Sequence, residues 1–268
     1  MGRAKDIIVK VIPAKIGNDF VRKHHYSGKV DPRSYVHFGC FIDNTLHGVM
    51  QLSPSICKHN SINVVKGTGW NEFVELARLA FDDYLPKNSE SRCLSIMFKL
   101  LRKNAPHIKW VVSYADGAQC GDGTIYRASG FKLIGIKKNS SMYRMPNGDV
   151  VCNLVFDPSF SSDGENQKRI KYGKVGKYKT WSSIRFLKHI GAEAIPGFQL
   201  KYIYFLDKDK IKDLTVPILP FSKIDEMNAG MYKGEKISLA DRKNAAALEN
   251  DSDDQSEKGG ANPTQPLQ

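Results

Sequence analysis

The chain of 268 residues contains no run of apolar residues long enough to cross a bilayer. Its opening "DIIVKVI" is too short for a signal peptide, so a soluble protein of the cell interior, cytoplasmic and without a membrane partner, is expected. The five cysteines are odd in number and form no C-x-x-C pair. That argues against a disulfide framework or a zinc ribbon and reads each thiol as a small, reduced hydrophobe. Internal repeats are missing as well, which sets aside solenoid and propeller architectures.

Acid is scarce where base is dense. The net charge is +12, and the last twenty residues, from Glu249, hold five acids against one lysine, so the remainder carries about +16. A body this basic suits a polyanion, either nucleic acid or an anionic membrane surface. From Lys168 to Lys188 there are eight Lys or Arg and no acid, interleaved with Tyr172, Tyr178 and Trp181. Lys168, Arg169, Lys171, Lys174, Lys177, Lys179 and Arg185 are candidate DNA phosphate contacts, with the aromatics available to stack on bases. A solvated loop would have the same composition, but the absence of acid favours nucleic acid.

Two ligand motifs also fail in "SYADGAQCGDGTIYRASGF", residues 113–131. An EF-hand needs oxygen ligands at alternate positions, and Ala118 and Cys120 stand there. A dinucleotide fingerprint starts with Gly121 and Gly123, but Tyr126 takes the place of its third glycine.

What is present reads as a mixed sheet with helices. "SYVHFGCFIDNTLHGVMQLSP", 34–54, predicts a hairpin turning at Asp-Asn. "NEFVELARLAF" predicts a strand interrupted by Glu75 and Arg78. Cys93, Ile96, Met97, Leu100 and Leu101 recur at helical spacing, with Asn88 or Ser89 as cap. "IKWVVSY" predicts a strand buried on both faces, "GTIYRASGF" a short helix ending at Gly130, and "FKLIGIKK" a further strand. Strands are expected in "LKYIYFLD" and "VPILPF" too. The order implies an α/β or α+β domain, divided as a catalytic core over 1–160, a basic C-terminal extension over 161–237 that packs on the core, and a disordered tail over 238–268.

Asp116 falls just past a strand's carboxyl end, where open α/β sheets bind ligands. It could orient a base or bind metal, although a turn-capping Asp is commoner. Tyr126 suits proton donation, or plain core packing. In "RKHHYSG" only one of His24 and His25 can face a given pocket. His, Tyr and Asp together would suit iron if they converge. The helix start in "LPKNSESR" offers amide donors to phosphate, as every capped helix does.

"HYSG", "GVMQLSPS", "ELARLAF", "LPKNSESR", "ADGAQCGDGTIYRASGF", "GFQLKYIYFLD" and "MYKG" together, in consistent order from about residue 20 to 236, resemble the Mom family of phage DNA-modification proteins. That family resembles the GNAT acyltransferases in fold, which implies a GNAT-like mixed central sheet flanked by helices. It implies a transferase, encoded by a phage or prophage, that converts adenine in double-stranded DNA to its carbamoylmethyl derivative on the exocyclic amine and shields the DNA from restriction. By the resemblance His25, Tyr26 and Asp116 would hold iron. Arg78, Ser89, Ser91 and Arg92 would lie on the side of an acetyl-CoA or related acyl-CoA donor, and Tyr126, Asp116, Tyr26 and Ser91 would serve the chemistry. The R-x-x-G-x-G/A junction of GNAT proteins has no glycine counterpart in "PKNSESR", so Ser89, Ser91 and Arg92 would supply side-chain contacts instead. Acetyl transfer would leave an amide on adenine, whereas carbamoylmethyl needs a nitrogen–carbon bond to a methylene, a step that iron chemistry could serve. A homodimer remains open. The rival readings are an ordinary acetyltransferase for protein or small-molecule amines and a non-catalytic basic DNA-binding protein.

Overall fold

The computed structural model describes residues 3–56, 58–86, 88–156, 181–232, 235–238 and 240–241. Strand β1 (Ile8–Val11) leads into helix α1 (Ala14–His24), and β2 (Val36–Ile42) and β3 (Thr45–Ser53) form the expected hairpin. Asp43 and Asn44 turn it with φ of 48° and 63°, the left-handed pair that a tight two-residue turn requires. After the short α2 (Lys58–Ile62) come β4 (Phe73–Phe81), α3 (Ser89–Asn104), β5 (Trp110–Asp116), α4 (Thr124–Ala128) and β6 (Lys132–Lys138). A small sheet of β7 (Met142–Arg144), β8 (Val150–Cys152) and β9 (Glu193–Ala194) follows, with α5 (Ser183–His189) packed beside it. Then β10 (Phe198–Phe205), α6 (Ser222–Glu226) and the pair β11 (Met231–Tyr232) and β12 (Glu235–Lys236) follow among the described residues.

The central sheet has seven strands in the order β1-β2-β3-β4-β5-β10-β6. Only β4 and β5 run parallel; every other neighbour is antiparallel. This is the mixed central sheet flanked by helices that the resemblance implied. One assignment changes with it: β10, placed by sequence in the 161–237 extension, is an interior strand of the core sheet between β5 and β6. "VPILPF" forms no strand, only an isolated bridge of Leu219 to Leu133, because Pro217 and Pro220 have no N–H to give to a ladder.

Two layers cover the sheet. Cys93, Leu94, Met97, Phe98 and Leu101 of α3 recur at three- and four-residue steps and pack on Phe38, Met50, Leu76, Val111 and Leu200. The opposite face receives α1 through Val21, packed with Val49 and Ala80. Gly17 lets α1 approach, since a Cβ there would come within 3.0 Å of His37 Nδ1.

The parallel pair sets the site. Its ladder runs only from Phe73–Trp110 to Leu76–Ser113. The closed end is fixed by the Phe73–Trp110 ring stack at 4.2 Å and by Trp110 Nε1 donating to Thr68 Oγ1 at 3.1 Å. At the last rung Ser113 Oγ donates to Leu76 O at 2.9 Å. The register of β4 against β3 shifts at the same point, with Gln51 opposite Arg78 and Leu52 opposite Leu76, so Ala77 is bulged out. Beyond it β4 and β5 diverge, and a cleft opens between them.

Candidate functional site: the cleft between β4 and β5

The cleft has a volume of about 390 Å³. Its walls come from four places: Glu75 to Leu79 on β4, Tyr114 to Asp116 on β5, residues 120–126 after it, and His25 with Tyr26 just past α1. Gln199 of β10 and Met231 close the remaining sides. Strand alternation explains much of this. Glu75 and Arg78, separated by the bulge, share the sheet face that α1 covers, while Val74 and Leu76 enter the core beneath α3.

Glu75 is 8% exposed, and burial raises its pKa against the pull of Arg33, the Ile56 N–H and Ser55. That N–H donates to its Oε2 at 3.2 Å. Arg78 is anchored by donating from Nε to Lys29 O at 2.9 Å and from Nη1 to Ala77 O at 2.6 Å. Burial raises the pKa of the Tyr126 hydroxyl, against the pull of its hydrogen bond with Ser113. Burial likewise raises the Cys120 thiol, assisted by Asp116. His25 and Tyr26 lie ring to ring at 4.3 Å. Burial and the positive charge of Arg78 push His25 down to about 4, so it is neutral near pH 7. The ring of Tyr26 is 52% exposed, yet burial of its phenol, then Asp116 and Cys120, raise its pKa strongly. Its outer edge meets solvent while its hydroxyl feels the charges of the cleft.

Of the residues singled out by sequence, His25, Tyr26, Arg78, Asp116 and Tyr126 line this one cavity. His24 does not; it stacks on Phe20 at 4.3 Å. Ser89, Ser91 and Arg92 do not line it either. Ser89 is fully buried and its Oγ donates to Pro86 O, Ser91 Oγ donates to Asn88 O at 3.0 Å, and Arg92 donates to Lys5 O at 3.1 Å. Arg185 is exposed on α5 and lies 4.0 Å from the centre of the Trp181 ring. Lys168, Arg169, Lys171, Lys174, Lys177 and Lys179 lie outside the described residues, as does most of the 238–268 tail. Among the described residues no helix is long and apolar enough to cross a membrane.

The donor set proposed for iron finds no support among the described residues. Nδ1 of His25 accepts the Ser27 N–H at 3.2 Å and lies 2.9 Å from Ser27 Oγ, which leaves the ring proton on Nε2. Asp116 accepts the Ala118 N–H on Oδ1 at 3.0 Å and the Gln119 amide on Oδ2 at 2.6 Å, the turn-capping role. Tyr26 is held as the neutral phenol. Among the described residues no three His, Cys, Asp or Glu side chains form a metal-holding group. No step is therefore routed through iron.

Sequence reasoning passed over Glu75, Asp122, Gln199 and Met231. Glu75 had a signal, a lone acid in a buried strand. Asp122 is 1% exposed, pairs with Arg127 at 3.0 Å and accepts the Met231 N–H at 3.4 Å. It ties the end of the described chain to the cleft wall. That pairing spans more than a hundred residues and leaves no local trace.

A mixed sheet whose one parallel pair splays around a buried acid, an arginine and a tyrosine defines the class: an α/β fold with its cleft at the sheet centre. The sequence matches the Mom protein family over residues 6–223, and the chain belongs to that family. It is 30% identical over 189 residues to the methylcarbamoylase Mom of Escherichia phage Mu, which covers 69% of this chain and 77% of that protein. Solved structures with a similar course include the spermidine/spermine N-acetyltransferase of Vibrio cholerae, at a TM-score of 0.42 and 6% identity over 79% of this chain and 99% of that one. An N-acetyltransferase of Staphylococcus aureus has a TM-score of 0.37 at 12% identity, over 75% of this chain and 97% of its own. Those likenesses are distant and say nothing of ligands.

Proposed function

We propose that this protein is a transferase that modifies adenine in double-stranded DNA, converting the exocyclic amine to its carbamoylmethyl derivative in the β4–β5 cleft and so protecting the DNA from restriction. The observation that carries it is the convergence of Glu75, Arg78 and Tyr126 on one cavity within a chain of the Mom family. The exocyclic amine must shed a proton as its nitrogen forms a new bond. Glu75, a buried carboxyl with a raised pKa, is the group suited to take it. Tyr126 keeps its proton and can donate a hydrogen bond to negative charge developing nearby. Arg78, anchored to two carbonyls, supplies a fixed positive charge.

An acyl-CoA-type donor fits one part of the site. Among the described residues the edge of β4 facing β5 has no ladder partner past Leu76, which leaves room beside Ala77 and Arg78 for an extended amide-bearing arm. Ala77, Arg78 and Tyr126 would hold that arm. Ser89, Ser91 and Arg92 are turned to the carbonyls of Pro86, Asn88 and Lys5 and contribute no side chain to it. The target base must leave the duplex stack to reach the cavity, which costs a few kcal/mol that phosphate contacts offset.

Mass spectrometry of nucleosides from a plasmid in cells expressing the protein tests the reading. A deoxyadenosine heavier by one carbamoylmethyl group is expected. With Glu75→Gln the yield of that nucleoside should fall at least about 100-fold, the lower range for loss of a general base. Unmodified adenine in cells that hold soluble, DNA-bound protein would overturn the transferase and leave a binding protein.

A further inference from the structure

The carboxyl of Glu75 is held by more than the strand that carries it. The turn leaving β3 reaches it twice: the Ile56 N–H donates to Glu75 Oε2 at 3.2 Å, and the Ser55 hydroxyl hydrogen-bonds the same carboxyl. Ser55 is buried, and its Oγ lies 3.0 Å from Oγ of the buried Ser61 on α2. Arg33, in the segment between α1 and β2, clamps this turn by donating from Nη1 to Pro54 O at 2.9 Å. The rest of its guanidinium makes a two-pronged pair with Asp31, Nε to Oδ1 at 3.0 Å and Nη2 to Oδ2 at 2.6 Å. Asp31 is buried and Arg33 half-buried. Both charges act on Glu75: Arg33 favours its ionised form, and Asp31 opposes that more weakly. Of the other titratable groups around it, Tyr126 of α4 feels the Glu75 charge across the cleft, and Arg78 lies on the same face of β4.

We propose that the Asp31–Arg33 pair and the Pro54–Ile56 turn form a cradle that aims the Glu75 carboxylate into the cleft and keeps it fit to take a proton. Arg33, Asp31 and Ser55 are then positioning residues for the step in which an N–H bond of the exocyclic amine breaks and its proton passes to Glu75. The inference rests on the reading of Glu75 as the base given above and adds what equips it for that role. Burial by itself favours the protonated carboxyl, which cannot accept a proton. The Ser55 hydroxyl, the Ile56 N–H and the charge of Arg33 favour the carboxylate. An unopposed arginine would go too far, since a carboxylate held strongly ionised is a weak base. Asp31 offsets part of that pull, so the pair sets the base between the two failures.

Carbon-13 NMR of protein labelled at the glutamate side-chain carboxyl tests this, because the Glu75 resonance is the one lost in Glu75→Gln. Arg33→Gln should move its titration midpoint to higher pH by about one pH unit, and Asp31→Asn should move it to lower pH. A pair that only braces the fold would not give opposite movements from its two halves. Arg33→Lys keeps the charge and should hold the midpoint within about half a pH unit of wild type. If Arg33→Gln does not fold with Asp31 left unpaired, Ser55→Ala supplies the upward movement to set against Asp31→Asn. In expressing cells Ser55→Ala should lower the yield of modified deoxyadenosine about tenfold, the fold-change for loss of one hydrogen bond to a charged group. Midpoints that stay in place, or move the same way in both halves of the contrast, overturn the cradle and leave Glu75 as the base. Midpoints that move as expected in a protein that leaves adenine unmodified overturn the transferase reading, and the positioning role with it.

Discussion

Two strands leave the same splay and end in turns of similar composition, yet the turns behave in opposite ways. The exit of β5, residues 117–123, carries Asp116, Cys120, Asp122 and Tyr126 to the cleft. The exit of β4 leads to Ser89, Ser91 and Arg92, whose side chains donate to the backbone carbonyls of Pro86, Asn88 and Lys5. Polar residues at a strand-to-helix turn therefore do not by themselves make a site. What separates the two is whether long-range contacts hold the turn open. At the β5 exit they do: Gly117 passes so close to Phe198 that a Cβ would lie 2.6 Å from its carbonyl oxygen, and Asp122 is tied to Met231. At the β4 exit the long-range contacts, Asp82 with His47 at 2.9 Å and Arg92 with Lys5 O, do not bound the cleft.

The sharpest way to break this contrast is to cut the β5 exit loose. Asp122 pairs with Arg127 while almost wholly buried, and Tyr202 donates its hydroxyl to the Asp122 carbonyl. Asp122→Ala leaves that arginine without its partner, so a loss of about 3–5 kcal/mol in unfolding free energy is expected. Urea unfolding measures it directly. A loss under about 1 kcal/mol would mean that the exit is held by packing alone.

A pH series comes next in size. His25 has a folded-state pKa of about 4 against an ordinary 6.5, so the folded protein binds fewer protons than the unfolded chain between those values. Its contribution is full above about pH 6.5 and is lost as pH falls toward about 4. Glu75, raised by burial, acts in the opposite sense, because protonation relieves its buried charge. The difference between wild type and His25→Gln isolates the histidine: the two unfolding curves should approach one another from pH 7 to 4.5. Curves that stay parallel would place His25 in solvent.

Much of this was legible. The hairpin announced its turn through Asp43 and Asn44, α3 through its apolar spacing, and β5 through an unbroken apolar run, because each is written in neighbouring residues. His25, Tyr26, Arg78, Asp116 and Tyr126 were found by family motifs, and they do meet. The threading of β10 between β5 and β6, the bulge at Ala77 and the Asp122–Met231 tie were not legible, since each depends on segments far apart in the chain. The reading of Asp116 as an iron ligand finds no support, and a local feature competes with it. Its turn-capping bonds to residues two and three positions on were the commoner alternative for an Asp there.

Asp116→Asn sharpens that last point. The amide oxygen can still accept the Ala118 N–H, while the link to Gln119 is weakened. Adenine modification should then stay within about tenfold of wild type, given that neutral hydrogen bonds contribute about 1 kcal/mol. Asp116→Ala, which removes the cap, should lose more. A folded Asp116→Asn protein with no activity would show that the negative charge itself is needed.

The smallest effect belongs to the β4 exit, where the contrast is most exposed to failure. Ser91 Oγ donates to Asn88 O and touches no part of the cavity. Ser91→Ala removes a partly solvated hydroxyl whose acceptor carbonyl can turn to water, so stability should change by about 0.5 kcal/mol or less. The concentration of acyl-CoA-type donor that gives half-maximal modification should not move. A tenfold rise in that concentration, with stability unchanged, would mean that the serine turns from Asn88 to the donor when it binds. The two exits would then share one ligand, with the splay between them as its middle.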